Sequence, residues 1–379
     1  MNKQRVYVLT SSRADYGIYL PLLKALEAHD KFELNLIVFG THLSTFHGYT
    51  IQNIYHDGFR IAAAIKTVLA DDSEETISTS MGLTMMKFAS FWNDNQKKVD
   101  LIVCLGDRYE MFAAVASSIP FNIPVAHIHG GETTLGAIDD KLRHSISLFS
   151  KYHFTSTETY ADRVRKLVGG KENIYNVGAL SLDNLTSLKL LTLNEFKEKF
   201  SIDLDIPTIL VTIHPETVAL EKNYQFVKST LAALTRVLES NQVVITMPNA
   251  DTAGNLVREE IVNFGENRSE VILIENFGTQ GYFTCMKHCS FMVGNTSSGI
   301  IEAASFGKYV INLGDRQKGR ATGENVLHIP FETDQIVKAI QKIKAKPKLS
   351  HDNIYHHGNA ANKIISELLK CQINHELTH

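Results

Sequence analysis

The sequence has little surplus charge, few cysteines and no long apolar run, and each shortage removes a class of function. Lys plus Arg number 38 against 41 Asp plus Glu, a formal charge of -3. No stretch gathers enough cations to track a phosphodiester backbone, which argues against a nucleic-acid partner. The densest basic stretch, Lys342, Lys344, Lys346 and Lys348, closes an amphipathic segment and reads as a solvated helix end. The apolar run at residues 6–9 is too short for a secretory signal. No run reaches the ~18 apolar residues of a membrane span, so a soluble cytoplasmic protein with no membrane partner is expected. The cysteines, Cys104, Cys285, Cys289 and Cys371, are too scattered for a disulfide framework. Cys285 and Cys289 share a helix face and read as core thiols rather than metal ligands. No G-x-G-x-x-G follows the first strand, which disfavours a nicotinamide cofactor, and the P-loop lysine spacing of NTPases is missing too.

What is present is alternation. Short β-branched runs at 6–10, 34–39, 101–105, 125–128, 209–213, 243–246, 271–274, 291–293 and 310–313 read as buried strands. Helix-period segments at 19–28, 74–95, 160–168, 223–239 and 300–306 lie between them. The series breaks once, between about 180 and 207. The expected fold is α/β, with two doubly wound Rossmann-like domains facing a cleft. One spans 1–185 and the other 205–350, with a helical segment at 353–369 of the tail 353–379 packing back on the first.

In doubly wound sheets ligands bind beyond the carboxyl ends of the strands, so the residues after each strand are the candidates. The first is followed by Thr10-Ser11-Ser12-Arg13-Ala14-Asp15-Tyr16-Gly17, suited to a phosphate or, equally, to a Ser/Thr helix cap beside a surface arginine. Gly106-Asp107-Arg108-Tyr109-Glu110 sets an acid beside a glycine, a catalytic candidate or a helix cap. Then Ala126-His127-Ile128-His129-Gly130-Gly131-Glu132 leads to Gly136-Ala137-Ile138-Asp139-Asp140-Lys141-Leu142-Arg143-His144. Two histidines at i and i+2 share a strand face, so a metal site completed by Glu132 and Asp139 competes with proton transfer. Asp139 and Asp140 could also merely complement a helix start.

The second half repeats the pattern. His214-Pro215-Glu216-Thr217 ends a strand with an imidazole and a carboxylate. Gly294-Asn295-Thr296-Ser297-Ser298-Gly299 joins a glycine turn, three hydroxyls and a helix start into an anion cradle. Glu302, about a turn further, would repel phosphate but accept hydrogen bonds from a ribose diol. Gly314-Asp315-Arg316-Gln317-Lys318-Gly319-Arg320 adds cations to the same edge. A nucleotide-linked small molecule is the simplest ligand for such a set.

These segments, in this order across residues 12–320, resemble the hydrolysing UDP-N-acetylglucosamine 2-epimerases of bacterial sialic acid synthesis. The resemblance implies a glycosyltransferase-B-like fold, no cofactor, no metal and a homodimer or homotetramer. It implies conversion of UDP-N-acetylglucosamine and water to N-acetylmannosamine and UDP. UDP would leave C1 as the C2 proton is removed, and water would add to the resulting 2-acetamidoglucal with the opposite C2 configuration. Asp107, Glu132, Asp139 and His214 are the acid/base candidates by this likeness. Arg13, Arg108, His129 and Arg143 would contact phosphate or the sugar end, and Thr296, Ser297, Ser298 and Gly299 would hold the diphosphate. Glu302 would bind the ribose and Arg316 the phosphate edge, with uracil near Phe277 and Tyr282.

One position departs from the pattern. Many members carry a glutamate, counted among their acid/base groups, where this chain has His129, so that role falls to Glu132, to His129, or is shared otherwise. Non-hydrolysing relatives carry a Pro-Glu-Glu-type segment, whereas Ile138-Asp139-Asp140 with Arg143-His144 favours the hydrolysing branch. Competing readings are the same chemistry on UDP-N,N'-diacetylbacillosamine, a glycosyltransferase on the same frame, a metal hydrolase built on His127 and His129, and a UDP-sugar sensor.

Overall fold

In the computed structural model, which describes residues 3–69, 71, 73–135, 137–248 and 253–370, the chain divides into two units. Gly136, Cys371 and the rest of the tail 371–379 lie outside the described residues. The first unit comprises Met1–Glu132, Asp139–Ser187 and His357–His379, and the second Thr133–Ile138 and Leu188–His356.

The first sheet has seven strands: β1 Gln4–Thr10, β2 Phe32–Phe39, β3 Ile61–Ile65, β4 Leu101–Leu105, β5 Val125–Ile128, β6 Tyr152–Thr155 and β7 Ile174–Asn176. All pair in parallel, in the order β3-β2-β1-β4-β5-β6-β7. The second sheet holds β8 Thr208–Thr212, β9 Gln242–Thr246, β10 Val271–Ile274, β11 Phe291–Gly294, β12 Val310–Leu313 and β13 Val326–Ile329. These are parallel too, in the order β10-β9-β8-β11-β12-β13. Both sheets are doubly wound, and the winding reverses between β1 and β4 in one and between β8 and β11 in the other. Strand sequence explains the burial: β1 sends Val6 and Val8 to one core and Tyr7 and Leu9 to another, so helices must cover both faces. β8 does the same, with Ile209 and Val211 on one side and Leu210 on the other.

Several boundaries differ from the sequence reading. β3, β6, β7 and β13 lie at or next to sheet edges, where one apolar face suffices; β3, Ile-Ala-Ala-Ala-Ile, alternates half-buried and exposed. The first helix begins at Arg13 rather than at 19 and carries Pro21 inside it. Proline has no N–H to give the Gly17 carbonyl, and the Asn184 side chain donates to that oxygen instead, at 2.9 Å. The helix expected over 223–239 stops at Thr235. The one expected over 353–369 is confined to Ala360–Lys370, because Asn353 and Tyr355 are tied to Ile301, Ser305 and Ala321 of the second unit. Asp183 caps this last helix, its two oxygens accepting the Ala360 and Ala361 N–H groups at 2.9 and 2.7 Å. Ile364, Ile365 and Leu368 of the helix bury in the core of the first unit.

Residues 188–204 belong to the second unit, where Phe196, Ile202 and Leu204 join its core. Cys104, Cys285 and Cys289 are buried free thiols. Among the described residues no helix is long and apolar enough to cross a membrane.

Candidate active site

Where winding reverses, the loops after neighbouring strands diverge and leave space for a ligand. In the first unit these are the loops after β1 and β4. After β1, Asp15 is a buried hub: its carboxylate accepts from Thr10 and Ser11 hydroxyls and from the Ser11 and Ser12 N–H groups. Ser12 in turn caps the helix that Arg13 opens, so the serines are spent on the turn; Arg13 is half-buried. Buried His42 braces Thr10 at 2.9 Å and Thr50 at 2.7 Å, and burial lowers its pKa.

After β4, Asp107 pairs with the guanidinium of Arg143, which comes from the helix Asp139–Phe149. The other Arg143 terminal nitrogen lies 3.8 Å from Glu132 Oε2. Glu132 is 1% exposed, and its Oε1 accepts from Ser156 Oγ at 2.7 Å and meets His129 Nδ1 at 2.7 Å. Gly131, at φ +76°, makes this possible, since a Cβ there would strike the Tyr160 carbonyl. The cluster therefore joins two carboxylates, one guanidinium and one imidazole around the ends of β4, β5 and β6. Asp139 opens the helix and is half-buried, and Asp140 faces His144 at 3.6 Å.

One expectation changes. The alternation that would set both imidazoles on one strand face ends at Ile128, because His129 takes φ +65°. His127 spends both ring nitrogens on the protein: Nε2–H donates to the Gly106 carbonyl at 2.8 Å and Nδ1 accepts from Ser147 at 3.0 Å. Burial holds its pKa down at about 3, so it is a neutral strut. Arg108 forks onto fully buried Glu110 at 3.1 and 3.2 Å.

In the second unit, β8 leads to buried His214, whose N–H donates to Asn295 Oδ1 at 2.7 Å while Asn295 Nδ2 returns a bond to the His214 carbonyl at 2.8 Å. Asn295 thus ties the loops after β8 and β11. Glu216 Oε1 accepts the Asp315 and Arg316 N–H groups at 2.6 and 3.0 Å, shaping the loop after β12; burial raises its pKa. Half-buried Arg316 and buried Gln317 both reach the Asn295 carbonyl, at 3.4 and 2.8 Å. At Gly294, φ +137°, a Cβ would run into the Thr212 carbonyl, so only glycine passes here.

Thr296 caps the helix Ser297–Ile301. With five residues that helix has little dipole, so a cradle here rests on the loop's N–H and hydroxyl groups. Thr296, Ser297 and Ser298 are half-buried, Gly299 is packed against Val310, and Glu302 is buried where the helix tightens. Burial raises the Tyr282 pKa, against the pull of neighbouring Thr212 and Ser298. The Phe277 ring turns into the core against Phe196 and Phe200, which leaves only its peptide groups to meet a ligand.

Ser156, Asn295 and Gln317 were not singled out by sequence. Ser156 follows β6, whose four residues carry a histidine and too weak a pattern to read as a strand, so its place at a strand end was hidden.

Comparison with known proteins agrees with this architecture. The family profile of UDP-N-acetylglucosamine 2-epimerases matches residues 24–369. A UDP-N,N'-diacetylbacillosamine 2-epimerase (hydrolyzing) of Legionella pneumophila is 33% identical over 97% of this chain and 96% of its own length. Polysialic acid biosynthesis protein P7 of Escherichia coli is 34% identical over 89% of this chain and 85% of its own. The crystal structure of a UDP-GlcNAc 2-epimerase from Neisseria meningitidis bound to UDP-GlcNAc superposes with a TM-score of 0.82 at 19% identity, covering 97% of this chain and all of that one. By fold, motif order and sequence, the chain belongs to the UDP-N-acetylglucosamine 2-epimerase family.

Proposed function

We propose that the chain is a hydrolysing 2-epimerase that converts UDP-N-acetylglucosamine and water to N-acetylmannosamine and UDP. The observation that carries this is the Asp107–Arg143–Glu132–His129 cluster, a set of proton-transfer groups gathered at the strand ends of a family whose reaction inverts C2. Breaking the C2–H bond forms the C1=C2 double bond as the C1–O pair leaves with UDP. Water then supplies hydroxyl to C1 and a proton to the opposite face of C2. In this reading the proton transfers are shared among Asp107, Asp139, His214 and the Glu132–His129 pair. Thr296, Ser297, Ser298 and Arg316 hold the diphosphate, Glu302 the ribose, and the peptide groups near Phe277 the base.

A second substrate, UDP-N,N'-diacetylbacillosamine, is favoured by the name of the Legionella relative, whereas the name of the similarly distant Escherichia coli relative points to polysialic acid. Proton NMR in deuterated water with each UDP sugar separates them, because product identity and deuterium at C2 appear together. Turnover of the bacillosamine sugar alone would overturn the first choice. Asp107→Asn should keep UDP affinity and lose ~10^2 to 10^4 of turnover; near-full activity would remove Asp107 from the chemistry.

A further inference from the structure

His129 stands one residue beyond β5 in a left-handed conformation, φ +65°, that non-glycine residues seldom adopt. The turn costs backbone energy, and what it achieves is specific: Nδ1 is delivered to Glu132 Oε1 at 2.7 Å. The ring is 5% exposed, and its other nitrogen, Nε2, is buried with no hydrogen-bond partner among the described residues. Most buried polar atoms in folded proteins are paired, and an atom of a bound molecule is one partner that would complete this set.

The neighbours fix which nitrogen carries the proton. Glu132 also accepts from Ser156 Oγ at 2.7 Å and faces the Arg143 guanidinium at 3.8 Å, partners that hold it as a carboxylate. A carboxylate only accepts, so Nδ1 donates to it and Nε2 keeps its lone pair. Glu132 Oε1 is doubly engaged within the protein, by His129 and by Ser156.

We infer that His129 Nε2 is the base that removes the C2 proton, and that Glu132 is a positioning residue that acts through His129. The assignment rests on the function proposed above. In the step, the C2–H proton moves to Nε2, the C2–H electron pair becomes the C1=C2 bond, and the C1–O pair departs with UDP. The imidazolium so formed is balanced by Glu132 and later gives its proton to solvent. The proton that arrives on the opposite face of C2 comes with the added water. Glu132→Gln would keep the contact but remove the charge.

The left-handed backbone supplies a direct test, since His129→Gly suits φ +65° and leaves an imidazole-sized space beside Glu132. The variant should bind UDP within about threefold of the parent by calorimetry and lose ~10^2 to 10^4 of kcat. Added imidazole should restore part of that loss saturably, which a merely structural histidine would not allow. His129→Gln, which keeps the native side-chain bulk, should show the same loss with UDP affinity intact if the glycine variant does not fold. Glu132→Gln should lower kcat while KM stays within about threefold of the parent, because no charge then balances the imidazolium formed in the step, and Glu132→Asp should recover part of that kcat. A folded, UDP-binding His129→Gly enzyme that imidazole does not rescue, or either His129 variant at near-full activity, would overturn the assignment alone. A parent enzyme inert toward both UDP sugars would overturn the proposed function and this step with it.

Discussion

His127 and His129 lie two residues apart and differ in one respect that decides their chemistry: the first has protein partners on both nitrogens, the second on one. His127 therefore reports on stability. Its pKa falls from an ordinary ~6.5 to about 3 on folding, chiefly through burial, and that of His153, opposite it on β6, falls to about 4. Between these values the unfolded chain binds protons that the folded chain refuses, so stability is complete above pH ~6.5 and drains as pH falls toward 3. His127→Gln, which can still donate to Gly106 and accept from Ser147, should flatten the slope of unfolding free energy between pH 6 and 4 by up to about 1.4 kcal/mol per unit. Urea titrations at stepped pH would read this, and an unchanged slope would mean that His127 is protonated in the folded chain.

At the scale of elements, the strand-end rule made most of the site legible, and it failed where strands did not advertise themselves. β4, Leu-Ile-Val-Cys-Leu, is buried along its length and pointed directly to Asp107, whereas β6 concealed Ser156. Roles were harder to read than positions. Arg108 is an arginine at a strand end by sequence, but only the fold shows Glu110 waiting two residues on to neutralise it. Likewise nothing local in Phe277 says that its ring has Phe196 and Phe200 as partners from a segment some eighty residues earlier. The partner of the Gly17 carbonyl that Pro21 leaves open, Asn184, is likewise distant in sequence. Gly294 is the element-scale position most open to test. Gly294→Ala demands both a strained φ and a retreat of the Thr212 carbonyl, and should cost roughly 3 kcal/mol of stability. A denaturation midpoint equal to that of the parent would show that the β8–β11 pairing yields easily.

At the scale of the whole molecule, the first unit is assembled from chain on both sides of the second, and its last helix returns after Leu188–His356 to complete its core. Asp183→Ala should loosen that helix by ~0.5–2 kcal/mol, the usual worth of a cap. A parallel loss of secondary structure in Ala360–Lys370 by amide exchange would confirm it, and unchanged exchange there would refute it. Asp183 and Asn184 are neighbours, yet one caps the helix Ala360–Lys370 and the other completes the helix Arg13–Ala28. This pair behaves as a keystone: the helix Arg13–Ala28 and the helix Ala360–Lys370 both hydrogen-bond to residues 183–184, which lie far from either in sequence.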